Sequence, residues 1–364
     1  MRPLEAFPPR VARRGRSTPR RRAAAHVVVA GVVWCAALGG CASAPGFGGP
    51  LPVRNQHPVF LTTLAMDPAP ARVRPAGTGT ASLGLAYSSM FLRSEKPEPP
   101  LYVNRFEMDG ELLRAGLRGE YGFGGGLQLA FELPFASTSG GFLDRFVEDF
   151  HDTFNQTNGG REKAAYDQFG VRVDYQGRVP YQMEERGFEP LDVPIELRWA
   201  MLPLHADRPV GLTARAAVEL PVGDQSRGYG NGGLDSAVGM IGEAQWGPFA
   251  ATAHVDYTFV STPDRARRAG IHYRGKLGFG AAVEAAITDA TELVVQLEMS
   301  QSPIREVRAI NLDSDQWLLW VGLRSQWTRD FAVELALGED MTLNGPPDFT
   351  VFLGCTLRFG APGR

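Results

Sequence analysis

Cysteine is scarce. Of three in 364 residues, Cys35 and Cys41 lie in or at the end of an apolar N-terminal run, which leaves Cys355. That excludes a disulfide framework and a cysteine metal site. Histidine is sparse too. His57, His151, His205, His254 and His272 follow the leader, and none has a second His or Cys at ligand spacing, so no metal and no cofactor is expected. Beyond Pro50 there is no apolar run of about 18 residues, hence no membrane-spanning helix. Positive charge is concentrated at the start. Residues 2–22 hold eight Arg and one Glu. The remainder carries 29 basic and 39 acidic residues, a net charge of −10, which argues against a nucleic-acid partner.

What is present begins with that leader. A basic region, then "AAAHVVVAGVVWCAALGG", then small residues is the order of a secretory signal. "LGGC" (Leu38 to Cys41) resembles a bacterial lipobox, with Cys41 the lipidated residue; "ASA" at Ala42–Ala44 is the rival, an ordinary cleavage site after residue 44. The expected organisation is signal 1–40, a periplasmic N-terminal segment 41–79, a β-domain 80–359 and a tail 360–364.

The β-domain reads as period-two alternation. In "PFAATAHVDYTFV", Phe249, Ala251, Ala253, Val255, Tyr257 and Phe259 face one side, and Thr252, His254 and Asp256 the other. "ELLRAGLRGEYGF" and "GLQLAFELPF" behave alike, as do seven further segments. At roughly 9–13 residues each, they have the length of a tilted membrane strand and exceed the five or six usual in soluble sandwiches. Links between them alternate short and long: 124–126, 202–209, 247–248, 288–290 and 328–330 against 136–192, 221–234, 261–270, 300–314 and 338–348. Membrane barrels sort their loops in this way, with short periplasmic turns and long outer loops. The fold expected is all-β: a transmembrane antiparallel up-and-down β-barrel of about twelve strands. Fourteen is the alternative, if 58–66 and 101–107 also span. Full charges on the polar face would line the lumen and pair with one another: Arg118, Glu196, Arg198, Arg215, Glu243, His254, Asp256, Arg274 and Glu298.

One stretch departs from this pattern. In "SGGFLDRFVEDFHDTF" (139–154), Phe142, Phe146, Phe150 and Phe154 recur every fourth position, a helical stripe, and Asp144, Glu148, Asp149 and Asp152 fall mostly opposite. Loop parity places this helix on the extracellular side. Its acidic face disfavours an anionic membrane surface, so it is expected in or across the barrel mouth, as a constriction or a plug. His151 lies on it, and Arg161 is positioned to pair with one of its acids.

The last strand, "FTVFLGCTLRF", resembles the C-terminal signal read by the bacterial barrel-insertion machinery, although "GAPGR" follows it. Three further motifs, "GPLPVRNQHPVF" (49–60), "SGGFLDRFVEDFHDTF" with "NGGR" (158–161), and "GEDMTLNGPPDFTVFLG", resemble an uncharacterised bacterial family, domain of unknown function thirty-one eighty-seven. "ELPVGD…GGLDSAVG" (219–239) looks like a segment of outer-membrane proteins linked to aromatic degradation. The first resemblance implies a signal-bearing, β-rich envelope protein and no particular activity. His254 and Asp256 share a face, but no serine is placed against them, so catalysis is not expected. The reading is a bacterial outer-membrane barrel that passes or binds a small molecule through a partly occluded lumen, with outer-membrane lipid and the insertion machinery as partners. A structural or interaction barrel without a through-path is the alternative, and a soluble β-sandwich lipoprotein the second alternative.

Overall fold

The computed structural model describes residues 48–94, 105–154, 160–205, 207–305, 312–341 and 347–360. Its strands are β1 (Gly79–Ser94), β2 (Arg105–Gly124), β3 (Leu127–Ser139), β4 (Gly170–Tyr175), β5 (Arg178–Met183), β6 (Glu189–Pro190), β7 (Val193–Leu202), β8 (Val210–Leu220), β9 (Asp235–Trp246), β10 (Phe249–Phe259), β11 (Lys276–Ala286), β12 (Thr291–Ser300), β13 (Gln316–Gln326), β14 (Phe331–Asp340) and β15 (Phe349–Phe359). Among the described residues three α-helices accompany them, α1 (Pro58–Leu61), α2 (Asp144–Phe154) and α3 (Asp264–Arg268), with a 3-10 turn at Arg161–Lys163.

β1–β3 and β7–β15 form the wall. Each pairs antiparallel with the next, and β15 returns to β1 in register from Gly79↔Phe359 to Ser89↔Phe349. The result is a closed twelve-stranded barrel, which removes the fourteen-strand and β-sandwich alternatives. Residues 58–61, counted toward a fourteenth strand, form α1 instead. Closure matters physically, because a spanning structure must satisfy every backbone polar group internally. β4 and β5 form a hairpin that extends β2 beyond the wall, Arg105–Asp109 pairing with Gly170–Asp174.

The burial pattern is inside-out relative to a soluble protein. Large apolar side chains such as Leu117 (51% exposed), Trp199 (51%), Val238 (53%) and Leu353 (47%) point outward around the wall. Glu132, Arg198, Arg215, Glu243, Glu284 and Arg324 are buried on the inner face. An apolar girdle over a polar interior is what a bilayer requires of strands whose side chains alternate faces.

The lumen is not empty. Residues 48–78, expected on the periplasmic side, run inside the barrel. They enter at the short-turn end, where Gly49 N–H donates to Glu284 Oε2 (2.8 Å), and rise past β12, where Leu51 exchanges hydrogen bonds with Gln296. They turn at α1 and descend along β8–β10, then leave through Gly77–Gly122 pairing into β1. Six prolines, Pro50, Pro52, Pro58, Pro68, Pro70 and Pro75, keep this segment out of the β-ladder because each lacks an N–H. Pro58 instead opens α1, a position where a missing N–H costs nothing, and His57 Nδ1 accepts from Val59 N–H (3.1 Å). At this apex Val59, Phe60 and Leu61 join Met90, Leu92, Met108 and Leu112 of the wall and Val171, Val173, Tyr181 and Met183 of the hairpin in one buried apolar cluster. This cluster packs inside the long-loop end of the wall.

Candidate lumen site

The segment is held mainly by wall side chains. Leu64 N–H donates to Asp235 (3.1 Å), Ala71 N–H to Glu243 (3.0 Å) and Arg74 N–H to Gln128 (2.7 Å). Arg215 donates to Asp67 O (2.7 Å), Arg324 to Gly49 O (2.8 Å), and the Thr213 hydroxyl to Ala71 O. Carboxylates accepting backbone N–H groups and guanidinium groups donating to carbonyls are charge-assisted bonds, stronger than neutral ones. They also solve a burial problem, since charges facing a lumen without bulk water need partners.

Most wall charges singled out in the sequence lie in this network. Arg118 pairs with Asp67 (3.0 Å) of the segment and with Glu120 (3.2 Å). Glu196 and Arg198 pair at 2.8 Å, and Arg198 also reaches Glu120 (3.3 Å). Arg215 donates Nε to Asp256 (2.7 Å) and pairs with it through a second nitrogen. Glu243 pairs with Arg72 (2.8 Å) of the segment. His254 Nε2 lies 3.4 Å from Glu298 and 3.7 Å from Asp256. Arg274 does not belong here. The strand begins two residues later, so Arg274 is exposed in the loop, its N–H on Pro303 O (2.9 Å), and Lys276 takes the inward position, donating to Thr63 (2.7 Å). Residues overlooked in the sequence complete the network: Arg324 meets Glu334 (2.7 Å), Glu292 (3.1 Å) and Glu284 (3.4 Å). Their inward phase in β11–β14 is the signal that would have identified them.

The amphipathic helix is elsewhere. α2 lies against the outer face of the wall near the long-loop end, not in the mouth. Phe142 stacks on Tyr87 (centroids 5.7 Å apart) and Phe146 meets Phe349 (5.9 Å); by register, Tyr87 and Phe349 share the outward face with Leu353. His151 approaches Glu339 of β14 at 4.0 Å. Val147 is buried, while Phe142, Asp149 and Asp152 are exposed. Phe150 lies within the helix, and Glu148 accepts from the Tyr166 hydroxyl (2.7 Å).

Two buried clamps hold the helix there. Glu111, on the outward face of β2, accepts from Phe142 N–H (2.8 Å), Leu143 N–H and the Tyr87 hydroxyl. Arg161 pairs with Asp144, the first residue of α2, and with Asp348 (2.6 Å), and lies over the Phe91 ring (5.0 Å). Asp144 also accepts from Asp167 N–H (2.8 Å). The "SGG" glycines make the approach possible: a Cβ on Gly141 would stand 1.8 Å from the Glu111 carboxyl carbon, and one on Gly140 would stand 2.3 Å from Asp167 O. Asp144 of "SGGFLD", Arg161 of "NGGR" and Asp348 of "PPDF" thus meet in the second clamp, and "GPLPVRNQHPVF" is the rising leg and apex of the lumen segment. Cys41 lies outside the described residues.

A family model described as a protein of unknown function, DUF3187, matches residues 26–359. The chain belongs to that family. A search of curated proteins found no match. Among solved structures, this DUF3187 protein is similar to the COG4313 outer membrane channel from Pseudomonas putida F1, at 15% identity and a TM-score of 0.54, covering 81% of this chain and 100% of that one. It is also similar to the NanC porin (8% identity, TM-score 0.41, 76% and 98% covered) and to the P. putida toluene transporter TodX (9%, 0.36, 80% and 92%). Identity at this level speaks to fold. The DUF3187 protein has the closed β-barrel fold of that outer membrane channel.

Proposed function

We propose that the protein admits a small molecule through its lumen, with its own N-terminal segment as the occluding element. The observation that carries this reading is how the segment is held. Residues 48–76 fill the barrel but contribute no strand to it; beside apolar packing at Leu51, Phe60 and Leu64, the wall holds them by side-chain hydrogen bonds and ion pairs. Such contacts are each worth roughly 0.5–3 kcal/mol and exchange without opening the wall ladder. The resemblance of the barrel to a solved outer membrane channel supports the same reading. No catalytic role is proposed; among the described residues His254 meets the carboxylates of Glu298 and Asp256.

The second reading, a structural barrel without a through-path, is favoured by the apolar cluster packed inside the long-loop end. Swelling of liposomes containing the refolded chain separates the two. The channel reading expects entry of small solutes and exclusion of large ones. A barrel that is folded yet excludes every solute would reject passage.

A further inference from the structure

Near the short-turn end the two legs of the lumen segment part, and a cavity opens between them and β1, β2, β13, β14 and β15. It is an open cavity that takes in about 680 Å³, solvent at its mouth included. Its lining has an unusual donor balance. Five arginines face it, Arg72, Arg74, Arg118, Arg324 and Arg358, against two carboxylates, Glu120 and Glu334. Much of the remaining lining is proline, which offers no N–H, together with hydroxyls already engaged: Thr80 Oγ1 donates to Glu120 (3.3 Å), and Ser82 and Thr356 bond each other (2.9 Å).

Two of the arginines are spent. Arg118 is taken by Asp67 and Glu120, and Arg324 by three glutamates and two backbone carbonyls. The acids behind the lining, Glu284 and Glu292, are turned toward Arg324 and the Gly49 and Gly48 N–H groups. The other three arginines keep unused donors. Arg72 pairs with Glu243, but its Nη2, buried, makes no hydrogen bond. Arg74 has one long contact, 3.5 Å, to a Glu120 that Arg118 and Arg198 already share. Arg358 has no ion-pair partner among the described residues. A guanidinium carries five N–H donors in a planar fork, and those that no protein acceptor meets are left to bind an acceptor that enters the cavity.

We propose that Arg72, Arg74 and Arg358 form a binding site for a small oxyanion, a carboxylate or phosphate group. The planar forks match two-oxygen acceptors. The site goes beyond the passage reading and does not depend on it.

The test is isothermal titration calorimetry of the purified full chain in uncharged detergent at low salt, with inorganic phosphate and with acetate as probes. Wild type binds at least one of them, and Arg358→Gln and Arg74→Gln each weaken that binding at least about tenfold, the loss expected for one charge-assisted contact. Arg186→Gln, an exposed loop position paired with Glu184, leaves it unchanged. Binding of both probes with the same dependence assigns a general oxyanion site; binding of acetate alone points to a carboxylate-bearing permeant, and of phosphate alone to a free phosphate. Each variant is checked for a folded barrel by its different migration before and after boiling. No binding by folded wild type, or equal affinity in wild type and both variants, overturns the proposal. Equilibrium binding needs no open path, so silent conductance with intact phosphate or acetate binding would reject passage alone.

Discussion

Single residues set the loop geometry at the long-loop end. Gly141 sits at φ +74° with the Glu111 carboxylate where its Cβ would be. Gly141→Ala therefore incurs about 1–2 kcal/mol of left-handed backbone strain and a direct clash, and is expected to release α2, seen as faster hydrogen exchange across 142–154. Unchanged exchange would mean that the clamp does not hold the helix. Gly125, at φ +59° with open space around it, carries only the backbone strain when changed to Ala. Asp192 organises the neighbouring loop by accepting from Gly223 N–H (2.8 Å) and Asn231 N–H (3.0 Å). Burial pushes its carboxyl up to about 6, against those two bonds, which pull it down. A carboxyl raised on folding binds its proton more tightly in the folded state, so its contribution to stability is fully present below pH about 4 and fades as pH rises through about 6. Exchange protection over 222–232 should fall across that window in wild type and stay flat in Asp192→Asn; identical profiles would contradict the assignment.

At the scale of elements, the strands were legible and the partners of the other segments were not. Lipid on one side and lumen on the other force strict alternation, so β10 can be read residue by residue. Arg274 shows the limit: its parity is inward, but the chain has not yet entered the wall at that height. The stripe of α2 was legible as well, yet an apolar stripe fits any apolar surface. What decided its place is a pair of buried clamps formed by Glu111 and Asp348, which lie far from it in sequence. The lumen segment was harder still. Its prolines exclude a strand, but its burial depends on acceptors scattered over Gln128, Asp235, Glu243, Glu284 and Gln296. The register makes its own prediction. Leu353→Arg places a charge on the lipid face and should cost about 2–4 kcal/mol near the midplane, whereas Leu353→Val, which stays apolar, should cost far less. Denaturant titrations of the chain folded into vesicles measure both, and equal costs would mean that Leu353 does not face lipid.

For the whole molecule, the central claim is that the N-terminal segment occludes the lumen from inside while the acidic helix stays outside on the wall. Changes to the first should therefore alter permeation, and changes to the second should not. The decisive measurement is single-channel conductance in planar bilayers of wild type, a chain lacking residues 50–74, and Asp144→Asn/Phe146→Ala, each first shown to be a folded barrel by its migration before boiling. Loss of the segment should raise conductance several-fold, and the helix variant should match wild type because its contacts lie on the outer face. A helix variant that opens the pore, with a segment deletion that leaves conductance unchanged, would contradict the account.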